Sequence, residues 1–319
     1  MTPSLPPDAV ARFRRDLERL TEPPGGLAVA VSGGPDSLAL LLLCFAAFPE
    51  RVRAVTVDHG LRPESAAEAT YVADIAARLG VRHAILSAQW PEQPPSTGIQ
   101  DAAREARYGA LLSWCRANGI EALATAHHAD DQAETLLMRL ARGAGLPGLA
   151  GIRPKRERSG VRILRPLLHW RASELRELCL AAGITPVDDP SNADPRHERT
   201  RIRRLLQDPA APDAAKVALS ADHLGEVEEA MDWIVTEAIR TRVTIESHRT
   251  LIDAGGLPRE INRRLLARLL GESGRMIRGS AVDRALELLE NGRPATLAGF
   301  RLRPGGRWTV TRAPPRRGN

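Results

Sequence analysis

A regular alternation of strand-like and helix-like segments over the first 185 residues is the feature that most constrains the fold of this chain. Short runs rich in aliphatic residues, typical of buried strands, lie at 27–31, 52–57, 83–88, 121–126 and 162–167. Longer segments with helical spacing follow them at 37–48, 66–79, 101–117, 130–142 and 172–182. Because repeated strand–helix units build a parallel sheet with helices on both faces, we predict an α/β fold with a doubly wound parallel sheet.

The character of the chain changes after residue 206. The segment 207–212 is rich in Pro and Ala and predicts a linker. The segments that follow are mostly helix-like, and two β-like runs in 295–311 predict a hairpin around Gly305 and Gly306. We therefore expect two domains, an α/β domain over residues 1–206 and a smaller, mainly helical domain over 207–319.

Cysteine usage and hydropathy exclude several classes of protein. Cys44, Cys115 and Cys179 are odd in number and widely spaced, which argues against a disulfide scaffold, a structural zinc site or an iron–sulfur cluster. The N-terminus lacks the pattern of a secretory signal, and the longest apolar run, 38–48, is too short to span a membrane. We therefore expect a cytoplasmic protein with no membrane partner; the sequence leaves its oligomeric state unknown.

The positive charge of the chain is segregated. The net charge is +6, and all but two of the 45 cationic side chains are arginine. Residues 151–206 carry 13 basic and 7 acidic side chains and residues 251–319 carry 14 and 6, whereas residues 1–150 carry 14 and 17. Since guanidinium groups match phosphate geometry, the two basic blocks are candidate nucleic-acid contacts.

A glycine-rich turn lies directly between the first predicted strand and the first predicted helix, with the sequence Ser32-Gly33-Gly34-Pro35-Asp36-Ser37. Glycines let the backbone approach phosphates closely, and the helix N-terminus offers free N–H groups and the positive end of its dipole. The turn contains neither Gly-Lys-Ser/Thr nor Gly-x-Gly-x-x-Gly, so it differs from the common P-loop and from the dinucleotide fingerprint. It resembles the pyrophosphate loop of the N-type ATP pyrophosphatases, the PP-loop superfamily with a Rossmann-like fold.

Further motifs narrow the resemblance to one family. They are Val-Asp-His-Gly-Leu-Arg at 57–62, Ala-Arg-Glu-Ala-Arg-Tyr at 103–108, Thr-Ala-His-His-Ala-Asp-Asp-Gln-Ala-Glu-Thr at 125–135, Arg-Pro-Leu-Leu at 165–168 and Asp-Pro-Ser-Asn at 189–192. In this order and spacing the chain resembles the tRNA(Ile)-lysidine synthetase family, densely from residue 27 to residue 203. One departure is Thr200, which stands where family members usually carry Asn.

The resemblance implies a ligase that forms a C–N bond in two steps. ATP adenylates the C2 carbonyl of the wobble cytidine in tRNA(Ile) with a CAU anticodon, and pyrophosphate leaves. Free L-lysine then attacks C2 and AMP leaves, which gives lysidine. The expected cofactors are ATP and Mg²⁺, the first domain is expected to bind ATP, and the second is expected to contact tRNA or another substrate.

The resemblance and the chemistry of the side chains together predict the site residues. Asp36 and Asp131 are expected at the catalytic centre, where two carboxylates at neighbouring strand ends share Mg²⁺. Arg107 is expected to neutralise charge on the α-phosphate, and Glu134 to orient the lysine amine. The expected ATP-binding residues are Ser32, Gly33, Gly34, Pro35, Asp36, Ser37 and His127. The expected tRNA-binding residues are Arg153, Lys155, Arg199 and Arg203.

Alternatives remain. His127 and His128 offer two nitrogens with no cysteine beside them, which favours base contact and helix capping over zinc, and Asp130 is interpreted as the N-cap of its own helix. A base thiolase of the same superfamily would also adenylate a base, but it would need cysteines. An amide synthetase would need an ammonia source, and a nucleotide-binding regulator would not need Asp36, Arg107 and Asp131.

Overall fold

A computed structural model describes residues 5–22, 25–58, 60, 65–88, 99–187, 198–208, 210–271 and 277–313 of the chain. The chain divides into two compact units, Met1–Gly225 and Glu226–Asn319. The boundary between these units differs from the expected one at 206 and 207, so the functional division of the chain stays a prediction.

The first unit contains a six-stranded sheet with the strand order β3-β2-β1-β4-β6-β5. Its strands are β1 (Leu27–Ala30), β2 (Val52–Asp58), β3 (Arg82–Ser87), β4 (Ala122–Ala124), β5 (Lys155–Arg158) and β6 (Val161–Leu164). All neighbouring strands pair in parallel except β5 and β6, which are antiparallel. The predicted α/β fold with a largely parallel sheet is therefore confirmed.

Helices cover both faces of this sheet. The helices of this unit include α1 (Pro7–Leu20), α2 (Pro35–Ala47), α3 (Ser65–Leu79), α4 (Ile99–Ala117), α5 (Ala129–Ala141), α6 (Leu146–Leu149), α7 (Ala172–Ala181) and α8 (Glu198–Leu206). One apolar cluster joins α1, α2, α3 and α7 to the sheet, and a second cluster joins α4 to the opposite face. The helix α2 is apolar on nearly every side because it is buried between the sheet and its neighbours.

The order of the strands determines where a site can form. The chain builds β2 and β3 on one side of β1 and then returns to place β4 on the other side. In open α/β sheets, ligands bind in the crevice that this reversal leaves at the carboxyl ends of the central strands. The loop 32–37 follows β1, and the helix α5 follows β4, so both flank this crevice.

The edge strand β5 was not predicted from the sequence. Its residues, Lys-Arg-Glu-Arg, are all charged, and the side chains of three of them are exposed. The strand forms because a tight turn at Ser159 (φ 53°) and Gly160 (φ 75°) folds it back onto β6. Two consecutive residues with positive φ are typical of the type I′ turn that joins antiparallel strands.

The second unit contains an antiparallel five-stranded sheet with the order β7-β8-β11-β10-β9. Its strands are β7 (Val243–Ile245), β8 (Thr250–Ile252), β9 (Ala295–Leu297), β10 (Phe300–Arg303) and β11 (Trp308–Arg312), and its helices include α10 (Arg259–Gly271) and α11 (Gly279–Glu290). The pairing of β10 with β11 confirms the predicted hairpin around Gly305 and Gly306. The strands β7 and β8 were not predicted, because each contains only three residues.

The long helix α9 (Ala214–Arg242) contributes to both units. No helix among the residues that the structure describes has the length and apolar character needed to cross a membrane.

A buried ion pair lies in the second unit. Arg264 donates to both carboxylate oxygens of Glu228, at 2.8 and 2.7 Å, and its Nε donates to Glu260 at 2.7 Å. Arg264 and Glu228 are 8% and 5% exposed. Because a charge left alone in such a place is costly, the pair couples α9 to α10.

We predict that Glu228→Ala destabilises the second unit by about 3 kcal/mol, since it leaves the guanidinium of Arg264 buried with only part of its partners. Glu229→Ala, one residue along the same helix at an exposed position, is the matched control and should change the free energy of unfolding by less than about 0.5 kcal/mol. Urea unfolding followed by circular dichroism measures both. Equal midpoints for the two variants would contradict the prediction.

Candidate active site

The hydroxyl group of Ser37 connects the two ends of the loop 32–37 through hydrogen bonds. Ser37 Oγ accepts a hydrogen bond from the backbone N of Ser32 (3.1 Å), donates to the carbonyl of Gly34 (3.0 Å) and lies 3.2 Å from Ser32 Oγ. Gly33 has a φ of 90°, a conformation that favours glycine, and its carbonyl accepts from the N–H of Val187 at 3.0 Å. The loop therefore has a fixed backbone conformation.

This loop also supplies the N-terminus of α2. Gly34 is the N-cap residue and provides no side-chain cap, and Pro35 occupies the first turn. Amide groups at such an uncapped helix start form a ready site for an anion, with the helix dipole favouring negative charge. The geometry suits a phosphate group, and ATP binding by this loop stays a prediction.

The loop opens into a cleft of about 980 Å³ at the carboxyl edge of the sheet. All the residues predicted to bind ATP line this cleft except Gly33, whose φ shapes the loop. The four residues predicted to be catalytic line it too: Asp36, Arg107, Asp131 and Glu134. The topology thus brings Asp36 and Glu134, which are 98 positions apart in the sequence, to the same cleft.

His128 joins the carboxylates of the cleft. It is the N-cap residue of α5, and its Nε2 lies 3.5 Å from Oδ2 of Asp36 and 3.5 Å from Oδ2 of Asp131. Its Nδ1 lies 3.5 Å from Asp130. Burial lowers the pKa of His128, but the three carboxylates outweigh burial and raise the pKa to about 10. The imidazole ring lies between the carboxylates of Asp36 and Asp131, with its Nε2 facing both.

His127 has the opposite character. Burial lowers its pKa to about 3, against the attraction of Asp131, so its ring is neutral. Its Nδ1 lies 3.1 Å from Oγ1 of Thr125. The neighbouring histidines thus differ in pKa because carboxylates outweigh burial at His128, whereas burial dominates at His127.

Glu134 is the most buried carboxylate of the cleft and is 1% exposed. It accepts hydrogen bonds from Nε of Arg199 at 2.5 Å and from Nε of Arg203 at 2.7 Å. A second nitrogen of Arg199 donates to Asp131 at 2.6 Å. Burial would raise the pKa of Asp131, but the charges of His128 and Arg199 hold it below its usual value. The two arginines of α8 therefore neutralise the carboxylates of α5.

The predicted tRNA-binding residues occupy three places. Arg199 and Arg203 line the cleft, paired with carboxylates as described. Arg153 lies outside the cleft lining and donates to the carbonyl of Gly225 at 3.2 Å. Lys155 is exposed on β5 and lines a separate cavity of about 410 Å³. The structure does not bring these four cations together, and their role stays a prediction.

Asp130 has a different role from the expected one. It was interpreted as the cap of its own helix, but His128 is the N-cap of α5. Asp130 instead accepts from the backbone N of Ala172 at 2.9 Å, at the start of α7, and pairs with Arg171 at 3.0 Å. It therefore ties two helices that flank the cleft, a long-range contact that the sequence could not show.

The residues fit a magnesium ion. Among the described residues, no group of three or more His, Cys, Asp or Glu side chains has the arrangement of a metal site. Mg²⁺ usually needs only one or two carboxylates and completes its shell with water and substrate phosphates. Asp36 and Asp131, both beside His128 Nε2 and next to the phosphate-suited loop, provide such a pair.

Sequence reasoning missed one buried residue beside the cleft. Gln132 is 1% exposed, and its amide accepts from the N–H of Ile152 at 2.6 Å and donates to the carbonyl of Ile152 at 3.1 Å. Arg139 adds hydrogen bonds to the carbonyls of Gly148 and Gly151 at 2.7 and 2.9 Å. Together they fix the glycine-rich segment on α5. Gln132 belongs to the motif at 125–135, but nothing in the sequence indicated its contacts with Ile152.

The fold, the uncapped helix behind a glycine turn and the cleft carboxylates define an ATP-binding domain of the PP-loop class, and the family model of the PP-loop domain matches residues 9–209. The chain is 44% identical over 300 residues to the tRNA(Ile)-lysidine synthase of Zymomonas mobilis, covering 92% of this chain and 90% of that protein. It is 44% identical over 314 residues to that of Novosphingobium aromaticivorans, covering 97% and 95%. The chain belongs to the tRNA(Ile)-lysidine synthase family.

A solved structure shares the fold. The U34-tRNA thiolase NcsA from Methanococcus maripaludis, with its [4Fe-4S] cluster, matches with a TM-score of 0.56 at 16% identity. The match covers 68% of this chain and 79% of that chain. At this identity the likeness shows the fold alone.

We predict that Gly151→Ala destabilises the protein more than Gly143→Ala does. Both glycines have positive φ, 63° and 67°, which costs a non-glycine residue about 1–2 kcal/mol. A Cβ at Gly151 would also lie 2.4 Å from Oε1 of Gln132, whereas nothing lies within 4 Å of a Cβ at Gly143. Displacing the buried Gln132 should add about 1–3 kcal/mol.

Urea unfolding of the two variants measures this difference, and Gly143→Ala is the control for backbone strain. The same free energy of unfolding for both variants would contradict the role assigned to Gln132.

Proposed function

We propose that this protein is a tRNA(Ile)-lysidine synthetase, a ligase that uses ATP to join L-lysine to the wobble cytidine of tRNA(Ile) with a CAU anticodon. One observation carries the proposal. Asp36 and Asp131 both lie beside the imidazole ring of His128, close to the loop 32–37 and to the buried Glu134. The relatives bearing this name cover nearly the whole chain. The three free cysteines suit the reducing cytoplasm.

The first step is adenylation of the base. The loop 32–37 and the start of α2 hold the phosphates of ATP through backbone N–H groups. The cytidine C2 oxygen attacks the α-phosphorus, the bond to the bridging oxygen breaks, and pyrophosphate leaves. Arg107, which lines the cleft, offsets the negative charge that grows on the α-phosphate. Mg²⁺ held by Asp36 and Asp131 would add positive charge at the phosphates.

The second step is attack by the lysine amine. The amine nitrogen bonds to C2, the C2–O bond breaks, and AMP leaves with the former carbonyl oxygen on its phosphate. The nitrogen loses a proton, which passes to water. Glu134 and Asp131 line the cleft. Each carboxylate oxygen has two lone pairs, so an oxygen that accepts from a guanidinium group can accept a second hydrogen bond from the amine and orient it for attack.

The cysteines disfavour the alternative of a base thiolase. Sulfur transfer needs cysteines, either as a cluster ligand set or as a reactive thiolate, and a reactive thiolate requires a low pKa and access to solvent. Cys44, Cys115 and Cys179 are all free and buried. Burial raises the pKa of Cys115 to about 11 and that of Cys179 to about 12. None of them has the environment of a nucleophile.

We predict that the protein incorporates radiolabelled L-lysine into tRNA(Ile) with a CAU anticodon when ATP and Mg²⁺ are present. AMP and pyrophosphate should appear in equal amounts, and each depends on the tRNA. The measurement is acid-precipitable label together with chromatography of the nucleotides. The control is elongator tRNA(Met), which also carries a CAU anticodon. Label that entered another acceptor but not tRNA(Ile) would refute the proposed function.

We predict that Asp36→Asn and Asp131→Asn each lower pyrophosphate release by about 100-fold or more, because each removes a charge that faces the phosphates. Asp74→Asn, an exposed position on α3, is the control and should keep full activity. Thermal unfolding shows whether the variants are folded. Full turnover by either cleft variant would contradict its role in holding Mg²⁺.

A further inference from the structure

The edge strand β5 places two arginines on the same face of the sheet as α4. In the ladder between β5 and β6, Arg156 lies opposite Ile163 and Arg158 lies opposite Val161. Residues opposite each other in a ladder project from the same face. Ile163 and Val161 pack in the apolar cluster that includes α4. The side chains of Arg156 and Arg158 are therefore on the α4 side.

Arg104 of α4 lies near them, because its charge and that of Arg156 both act on Glu105, and Arg107 lies on the same helix close to Arg104. We call Arg104, Arg107, Arg156 and Arg158 the arginine rim. Arg158 donates to both oxygens of Glu105 on α4, at 3.3 and 2.5 Å. The hydrogen bond from Arg158 lowers the pKa of Glu105, and the charges of Arg104 and Arg156 lower it further. Three members of the rim therefore lie around one carboxylate.

The rim has more positive charge than the described residues around it neutralise. Arg104, Arg107 and Arg156 form no ion pair with any residue that the structure describes, and all three are exposed. Arg104 and Arg107 lie 5.3 and 5.9 Å from the ring centre of Tyr108. Guanidinium groups held close together repel one another. An anion that bridged them would remove this repulsion.

The rim adjoins the cleft. Arg104 and Arg107 belong to the rim and also line the cleft. An RNA strand whose base enters the cleft would therefore lie beside them. Behind the rim, burial lowers the pKa of Arg165, and the charges of Arg104 and Arg156 lower it further. Positive charge thus extends from the mouth of the cleft to the edge of the sheet.

We propose that the arginine rim binds the sugar–phosphate backbone of the RNA next to the nucleotide whose base enters the cleft. The inference rests on the proposed function, in which that nucleotide is the wobble cytidine. Guanidinium forks match phosphate oxygens, and such contacts position a nucleic acid without reading its sequence. The rim therefore sets the affinity and register of the RNA, while the cleft selects the base.

The test compares Arg104→Gln, Arg156→Gln and the double variant with Arg116→Gln. Arg116 is exposed in the last turn of the same helix α4, so its variant loses the same charge away from the rim. The measurement is the Kd for tRNA(Ile) with a CAU anticodon at several salt concentrations, with lysine incorporation by the wild-type protein measured in parallel.

Each rim substitution should raise the Kd about tenfold and lower the slope of log Kd against log salt by about 0.7 to 1 for each lost phosphate contact. Arg116→Gln should match the wild type. If the wild type incorporates lysine and the rim variants have the same Kd and the same salt dependence as the wild type, the rim does not bind the RNA backbone. The proposed function is then unaffected. A wild type that binds tRNA(Ile) but incorporates no lysine contradicts the function instead, and the slopes then still decide whether the rim binds RNA.

Discussion

The cleft of this protein depends on one electrostatic constraint, which is that carboxylates buried at the strand ends need cations at hydrogen-bond distance. Glu134 meets it through Arg199 and Arg203, and Asp131 meets it through Arg199. The helix α8, which carries both arginines, buries only Thr200. Its place against α5 is therefore fixed by ion pairs more than by apolar packing, so the position of α8 depends on the charge of the cleft.

The parallel core was predictable because its signals are local. Apolar runs and helical spacing identify β1, β2, β4 and the helices between them, and the glycine turn identifies the strand end that carries the loop 32–37. The edge strand β5 and the short strands β7 and β8 were not predictable. The residues of β5 are all charged, and β7 and β8 contain only three residues each. These strands form because a partner strand supplies hydrogen bonds.

The site was predictable as a set of residues but not as a network. Motif order indicated Asp36, Asp131 and Glu134, which the topology brings to one cleft. The sequence could not show that Arg199 pairs with Asp131 across 68 residues, or that Asp130 caps α7 across 42. Such pairings depend on how helices pack after the sheet forms, and no periodicity in the chain records them.

The charges of β5 have a consequence for solubility that is separate from any ligand. The strand lies at the outer edge of the sheet, where unpaired backbone groups form a template for a strand from another molecule. Lysine and arginine side chains along such an edge oppose that pairing, because three of the four residues of β5 are cationic and a second copy would bring one net positive edge against another. The sequence Lys-Arg-Glu-Arg thus keeps an open sheet from growing into an intermolecular one.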